Sequence, residues 1–117
     1  MNGLEIKVSE QKKATIVSLA GSADMREAEV LDTQLEKEFS QGRYNLVIDL
    51  SKLEFMSSMG LGSLIRAHNR CRAKKGRLSL VNPQPAVLKV IQTTRLNELF
   101  NIYGTLEEAL EVSKEEG

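Results

Sequence analysis

Between Asn45 and Arg70 the chain runs NLVIDLSKLEFMSSMGLGSLIRAHNR, and this stretch narrows the choice of fold more than any other. It opens with an apolar run from Leu46 to Leu50 that has one acid, Asp49, inside it. It then passes Ser51 and Lys52, which read as a polar turn, and enters a second short apolar patch from Leu53 to Met56. Beyond two adjacent serines, Leu61, Leu64, Ile65, His68 and Cys71 recur at helical spacing. The reading is a buried strand, a short connection and a helix. Ser57 or Ser58 sits at the helix start, where a hydroxyl can accept a hydrogen bond from an N–H that has no partner within the helix. A strand-to-helix loop of this kind is where α/β folds place their working surface.

On the N-terminal side, Leu4, Ile6 and Val8 alternate with charged or polar residues, Gln11 to Lys13 turn the chain, and Ala14 to Leu19 follow, so two strands can pair as a hairpin. Gly21 and Ser22 end the second. Asp24 is placed to cap a helix over Met25 to Ser40, with Glu27 three positions on as in a capping box and Ala28, Leu31, Leu35 and Phe39 on one stripe. Leu46 to Leu50 is the most continuously apolar strand and therefore central. The helix after Ser57 is expected to reach Lys75, with Gly76 as its C-cap. Leu78 to Val81 form another strand, closed by Asn82 and Pro83. Pro85 suits a helix's first turn, and that helix continues to Thr94 on a buried side of Val87, Leu88 and Ile91. Leu96, Leu99, Phe100 and Ile102 supply a short edge strand or extended segment. Thr105 then caps a last helix with Leu106, Ala109 and Leu110 facing inward, and residues 113–117 form a frayed tail. The order ββαβαβαβα predicts an α/β fold: a mixed sheet of four or five strands, with helices packed mainly on one face, in one domain over residues 1–117.

Composition excludes several function classes. Of the 117 residues 41% are hydrophobic but only 4% aromatic, with no Trp, so the core must be built from Leu, Ile, Val and Ala. Cys71 is the one cysteine, which rules out an internal disulfide and a multi-cysteine metal site. No apolar stretch is long enough for a signal peptide or a membrane span, so the cytoplasm is the expected location. The formal net charge is zero, and no aromatic residue interleaves the basic run of Arg66, Arg70, Arg72, Lys74, Lys75 and Arg77, so direct nucleic-acid binding is not expected. That run is either the solvated face and favourable C-terminal end of its helix, or a positive patch for an acidic partner.

An enzyme would need groups that are hardly present. His68, the lone histidine, falls on the apolar stripe and reads as structural, and His68 with Cys71 makes only two ligands. Gly60 and Gly62 lack the third glycine of a dinucleotide fingerprint, and no Gly-x-x-x-x-Gly-Lys-Ser/Thr phosphate loop occurs. No catalytic residue, metal or cofactor is therefore expected. The serines remain. They serve as cap and turn residues, or one of them receives a phosphoryl group at a helix N-terminus, where free N–H groups and the helix dipole meet its charge. In that case a partner kinase would supply the nucleotide, metal and base.

The segment FMSSMGLGSL, Phe55 to Leu64, resembles the phosphoacceptor segment of anti-sigma factor antagonists, the small single-domain members of the STAS family. The usual form of that segment is aromatic, Met or Leu, Asp, Ser, Ser/Thr/Ala, Gly, Leu/Met, Gly. The resemblance extends to Gly21 and Asp24 as the Gly-x-x-Asp turn after the second strand, Val47 to Leu50 as the central strand, Gly76 as the turn after the long helix, and Leu96 to Phe100 as the closing strand region. The family's Asp before the acceptor is Ser57 here. What the resemblance implies is a partner switch: the unphosphorylated protein binds an anti-sigma factor that is itself a serine kinase, phosphorylation at Ser58 (alternatively Ser57) breaks the complex, and a serine phosphatase restores it. It also implies a partner-binding face made of Gly21, Asp24, Met56, Ser57, Ser58, Met59, Gly60 and Asn82. Two alternatives stay open. One is a STAS scaffold or transport-associated interaction module that works without phosphorylation. The other is a small-ligand-binding domain or enzyme using Asp24, Ser58 and Asn82.

Overall fold

The computed structural model describes residues 3–116, with side chains to residue 112. Two antiparallel strands open it, β1 (Leu4–Gln11) and β2 (Ala14–Ala23), in register from Leu4 opposite Gly21 to Gln11 opposite Ala14. Lys12 and Lys13 close this hairpin at φ 50° and 69°. A two-residue turn with both residues left-handed twists in the same sense as its strands, and lysines here take the place of the usual Asn-Gly. The chain then alternates: α1 (Met25–Ser40), β3 (Asn45–Met56), α2 (Ser58–Ala73), β4 (Arg77–Val81), α3 (Pro85–Thr93), a 3₁₀ turn at Leu96–Glu98, β5 (Asn101–Tyr103) and α4 (Leu106–Glu116). From β2 onward neighbouring strands are parallel, and the sheet order is β1-β2-β3-β4-β5. This is the mixed α/β sheet that the element order predicts.

The alternation of β3 side chains decides where the helices sit. Leu46, Ile48 and Leu50, with Val17 and Leu19 of β2, point to the side where Leu31, Leu35, Leu61, Leu64, Val87 and Ile91 of α1, α2 and α3 are buried. Val47 points the other way with Ala14, Ile16 and Val81, against Ala109 and Leu110 of α4. Three helices thus cover one face and the fourth covers part of the opposite one, which explains the unbroken apolar run at Leu46 to Ile48. Each fully buried Leu or Ile contributes about 1.5–3 kcal/mol. Among the described residues no helix is long and apolar enough to cross a membrane. The expected frayed tail falls on the side chains of residues 113–116 and on Gly117, outside the described residues.

Four local expectations are revised. Ser51 and Lys52 do not turn the chain: β3 continues through them to Met56, and extra residues in β3 shift its register against β2 twice. The Ser51 N–H donates to Asp49 Oδ1 at 3.0 Å, so the acid inside the apolar run satisfies a backbone group at the irregularity. Asp24 does cap α1, its Oδ1 accepting from the amides of Arg26 and Glu27, but no returning bond from Glu27 is present among the described residues. The reciprocal capping box lies instead at Thr105 and Glu108. There Thr105 Oγ1 accepts from the Glu108 amide, and Glu108 Oε1 accepts from the amides of Gly104 and Thr105. Leu96 begins a 3₁₀ turn, and the edge strand follows only at Asn101. Finally, the left-handed C-terminal residue of α2 is Lys75, at φ 62°, with Gly76 one position beyond it.

Charge pairing between helices bears on the two readings of the basic run. Arg66 pairs with Asp32 at 2.9 Å and Arg70 with Glu36, both across the α1–α2 boundary, and the Arg70 guanidinium lies 4.7 Å over the Phe39 ring. Arg77 hydrogen-bonds the Tyr103 hydroxyl. The acid-rich α1 and base-rich α2 therefore neutralise one another at Arg66 and Arg70, and this part of the run is a solvated, intramolecularly paired face.

Candidate functional site

β2 and β3 end side by side. Ala23 lies opposite Met56, and the Ser57 N–H donates to Ala23 O at 2.8 Å, which extends the ladder one step past the strand and brings the starts of α1 and α2 together. The two serines have separate fates. Ser57 is the N-cap of α2: its Oγ accepts from the Gly60 N–H at 3.2 Å, and its carbonyl accepts from Leu61 N–H. Ser58 is the first residue of the helix, exposed, and its hydroxyl has no hydrogen-bond partner among the described residues. No acidic residue lies in the first turn of α2 to offset its dipole.

Gly60 permits this approach. A Cβ there would stand 3.1 Å from Ala23 O and 3.1 Å from Met56 Cγ, so the first turn of α2 rests directly on the end of β2. Asp24 is exposed on the neighbouring loop, its carboxylate engaged in capping α1. Met59 is half exposed beside Ser58 and shares a groove with Met25, Ala28, Asp32 and Arg66, between the first turns of α1 and α2. No sequence signal marks Met25 beyond its place at the start of α1. Its spacing to Ala28 places it on the buried stripe, yet it is 68% exposed.

Three residues of the expected face sit elsewhere. Met56 is 1% exposed, part of the core beneath the loop, so it supports the face without being on it. Gly21, at φ 99°, lies two residues before the end of β2 opposite Leu53, held close to Gly3, and shapes the edge with β1. Asn82, exposed at φ 48°, follows Val81, which is opposite Asp49. At about 3.3 Å per residue, Asn82 is therefore roughly 15–20 Å short of Met56 along β3. The long overhang of β3 separates Asn82 from the serines, and the compact site is Asp24, Ser57, Ser58, Met59 and Gly60.

His68 and Cys71 stand apart from this site. His68 is 4% exposed, edge-on to Phe100 at 5.7 Å, ten residues and so about 15 Å along α2 from Ser58. Burial, with the Arg72 charge adding to it, holds its imidazole below the ordinary value of 6.5. Cys71 is buried, and its thiol is pushed up to about 12 by burial. The histidine should be visible in stability. Above pH 6.5 neither the folded nor the unfolded chain protonates it; as pH falls below 6.5 only the unfolded chain takes up the proton, so stability declines until the folded value is reached. The difference in unfolding free energy between wild type and His68→Leu should change between pH 7.5 and 5, by at most about 1.4 kcal/mol per pH unit. Parallel curves for the two proteins across that window would contradict this.

With this geometry in place, comparison with known proteins is direct. The STAS domain family matches residues 5–109. An anti-sigma F factor antagonist of Paenibacillus polymyxa is 24% identical over 108 residues, 92% of each chain. The crystal structure of an anti-sigma factor antagonist from Mycobacterium paratuberculosis superposes with a TM-score of 0.87 at 29% identity, covering 96% of this chain and 95% of that one. The phosphorylated form of the Bacillus cell fate determinant SpoIIAA shares the fold, with a TM-score of 0.73 at 24% identity over 92% of this chain and 98% of that one. Sequence and architecture agree along nearly the whole chain, and the protein belongs to the STAS domain family.

Proposed function

We propose that this protein is an anti-sigma factor antagonist working by partner switching in the cytoplasm. Unphosphorylated, it binds an anti-sigma factor that is a serine kinase; phosphorylated on Ser58, it lets go; a serine phosphatase resets it. The observation that carries this reading is the division of labour between the serines. Ser57 spends its hydroxyl on the Gly60 amide, while Ser58 presents an unengaged, exposed hydroxyl at a helix start with no neighbouring carboxylate in the first turn. A phosphate there adds about −1.5 to −2 charges. The fold tolerates them next to the helix N-terminus, whereas a surface fitted to a neutral hydroxyl does not. Relatives named as anti-sigma factor antagonists, and a neighbour in fold known in a phosphorylated form, support the same reading.

Ser57 bears on how the switch is recognised. It keeps the cap that an Asp would make at this position but removes the negative charge beside the acceptor. The test is phosphosite mapping by mass spectrometry after incubation with the cognate anti-sigma factor kinase and Mg-ATP. One phosphate on Ser58 is expected. Phosphate on Ser57 would mean that the cap opens for the kinase, and phosphate on neither serine would favour a STAS scaffold regulated elsewhere.

A further inference from the structure

Among the described residues two methionines are exposed, and each follows one of the loop residues at the centre of the site: Met25 follows Asp24 and Met59 follows Ser58. Both line the groove between the first turns of α1 and α2, at 68% and 49% exposure. The other exposed large apolar side chains, Val30, Phe55 and Leu99, do not line it. Met56 lies directly beneath the same loop at 1% exposure. The groove thus offers a partner two soft thioethers, and offers the same two sulfurs to any oxidant in solution.

We propose that Met25 and Met59 are an oxidation site on the partner-binding face, through which a peroxide-class oxidant weakens the complex that Ser58 phosphorylation also controls; this rests on the partner-switch reading above. In the reaction the thioether lone pair attacks a peroxide oxygen, an S–O bond forms as the O–O bond breaks, and the departing oxygen leaves as water carrying the proton of the transferred oxygen. Sulfur loses two electrons and peroxide is reduced by two. The product places a strong S=O dipole where an apolar methyl thioether made contact, and docking must then strip water from it. Neither side chain is in the core, so the fold is unaffected. Oxidation of Met56 would be different, because its side chain packs in the main core among Leu53, Leu61 and Ala23.

The experiment oxidises the full chain with hydrogen peroxide, locates sulfoxides by mass spectrometry, and titrates the product with the cognate anti-sigma factor kinase in ADP, so that phosphorylation cannot intervene. Sulfoxide should form at Met25 and Met59 well before Met56, with an unchanged melting curve and affinity lower by about tenfold or more. Methionine sulfoxide reductases A and B should restore binding. The Met25→Leu, Met59→Leu double variant should bind with the same affinity before and after peroxide treatment, whatever that affinity is. Unchanged affinity of the doubly oxidised protein, or an equal loss in the double variant, overturns the inference and leaves the switch standing. If the reduced protein does not bind the kinase at all, the switch falls and this inference with it.

Discussion

Ser58→Asp is expected to bind the anti-sigma factor roughly a hundredfold or more weakly than wild type while melting no lower than wild type, and up to a few degrees above it. The two halves of this expectation have different causes. Binding falls because a carboxylate on a face that otherwise presents a neutral hydroxyl must be desolvated or repelled when the partner docks, a cost of several kcal/mol. Folding does not suffer because Ser58 is exposed, makes no hydrogen bond among the described residues and opens a helix whose first turn holds no acid, so a negative charge there contributes about 0.3–1 kcal/mol in favour of the helix. A single carboxylate carries about half the charge of a phosphate, so the phosphorylated protein should bind more weakly still. Ser58→Ala should keep both stability and affinity and lose only release. Ser57→Ala provides the contrast: it removes the acceptor of the Gly60 N–H and should cost about 1 kcal/mol of stability, while leaving the phosphosite in place. Titration calorimetry and thermal melts of the three variants separate the effects. A Ser58→Asp protein that binds as tightly as wild type would sink the switch.

From propensity alone that division was legible only as a pair of candidates, because either residue can stand at the start of α2; the resemblance put Ser58 first. Which of them caps the helix depends on the Ser57 N–H bond to Ala23, which comes from a strand 34 residues earlier in the chain. Local periodicity fared well where one face is simply buried, as in α1 and α2, and poorly where a strand changes its surroundings partway. β3 is covered on both faces over Leu46 to Ile48; beyond that, Asp49, Ser51 and Lys52 border an open part of the sheet that α4 does not reach, so a polar pair reads as a turn although the ladder continues through it. The overhang of β3 past β4 was invisible for a related reason. Register is a property of strand pairs, and only register shows that Asn82 stops level with Leu50 while Ser58 lies beyond Met56. Met25 illustrates the limit of spacing. Its angle on α1 matches the buried stripe, but it sits at the helix start, past the end of the sheet that would cover it.

Gly76→Ala is expected to destabilise the protein by about 3 kcal/mol or more, the largest single-residue effect on folding foreseen outside the core. A glycine after a helix invites the explanation that it supplies the left-handed cap, and here that explanation fails. Lys75 already occupies the left-handed position, with its N–H on Arg72 O and the Gly76 N–H on Cys71 O, the two bonds of a Schellman motif. What Gly76 supplies is the absence of a side chain. A Cβ would lie 2.0 Å from Tyr44 O and 2.8 Å from Tyr44 Cβ, just where the Arg77 N–H bonds Tyr44 O and β4 joins β3. Relief would require the start of β4 to move off the central strand, opening the layer that buries Leu46 and Leu78. Lys75→Gly should do the reverse on a smaller scale, gaining about 0.5–1 kcal/mol by removing a side chain from the left-handed region. At about 4 °C or more per kcal/mol for a domain near this size, Gly76→Ala should melt about 10 °C or more below wild type and Lys75→Gly a few degrees above it. Melting of Gly76→Ala within about 2 °C of wild type would show that the Tyr44 backbone yields easily. Because Gly76 is at the far end of α2 from Ser58, any Gly76→Ala protein that remains folded at low temperature should still bind the anti-sigma factor with wild-type affinity.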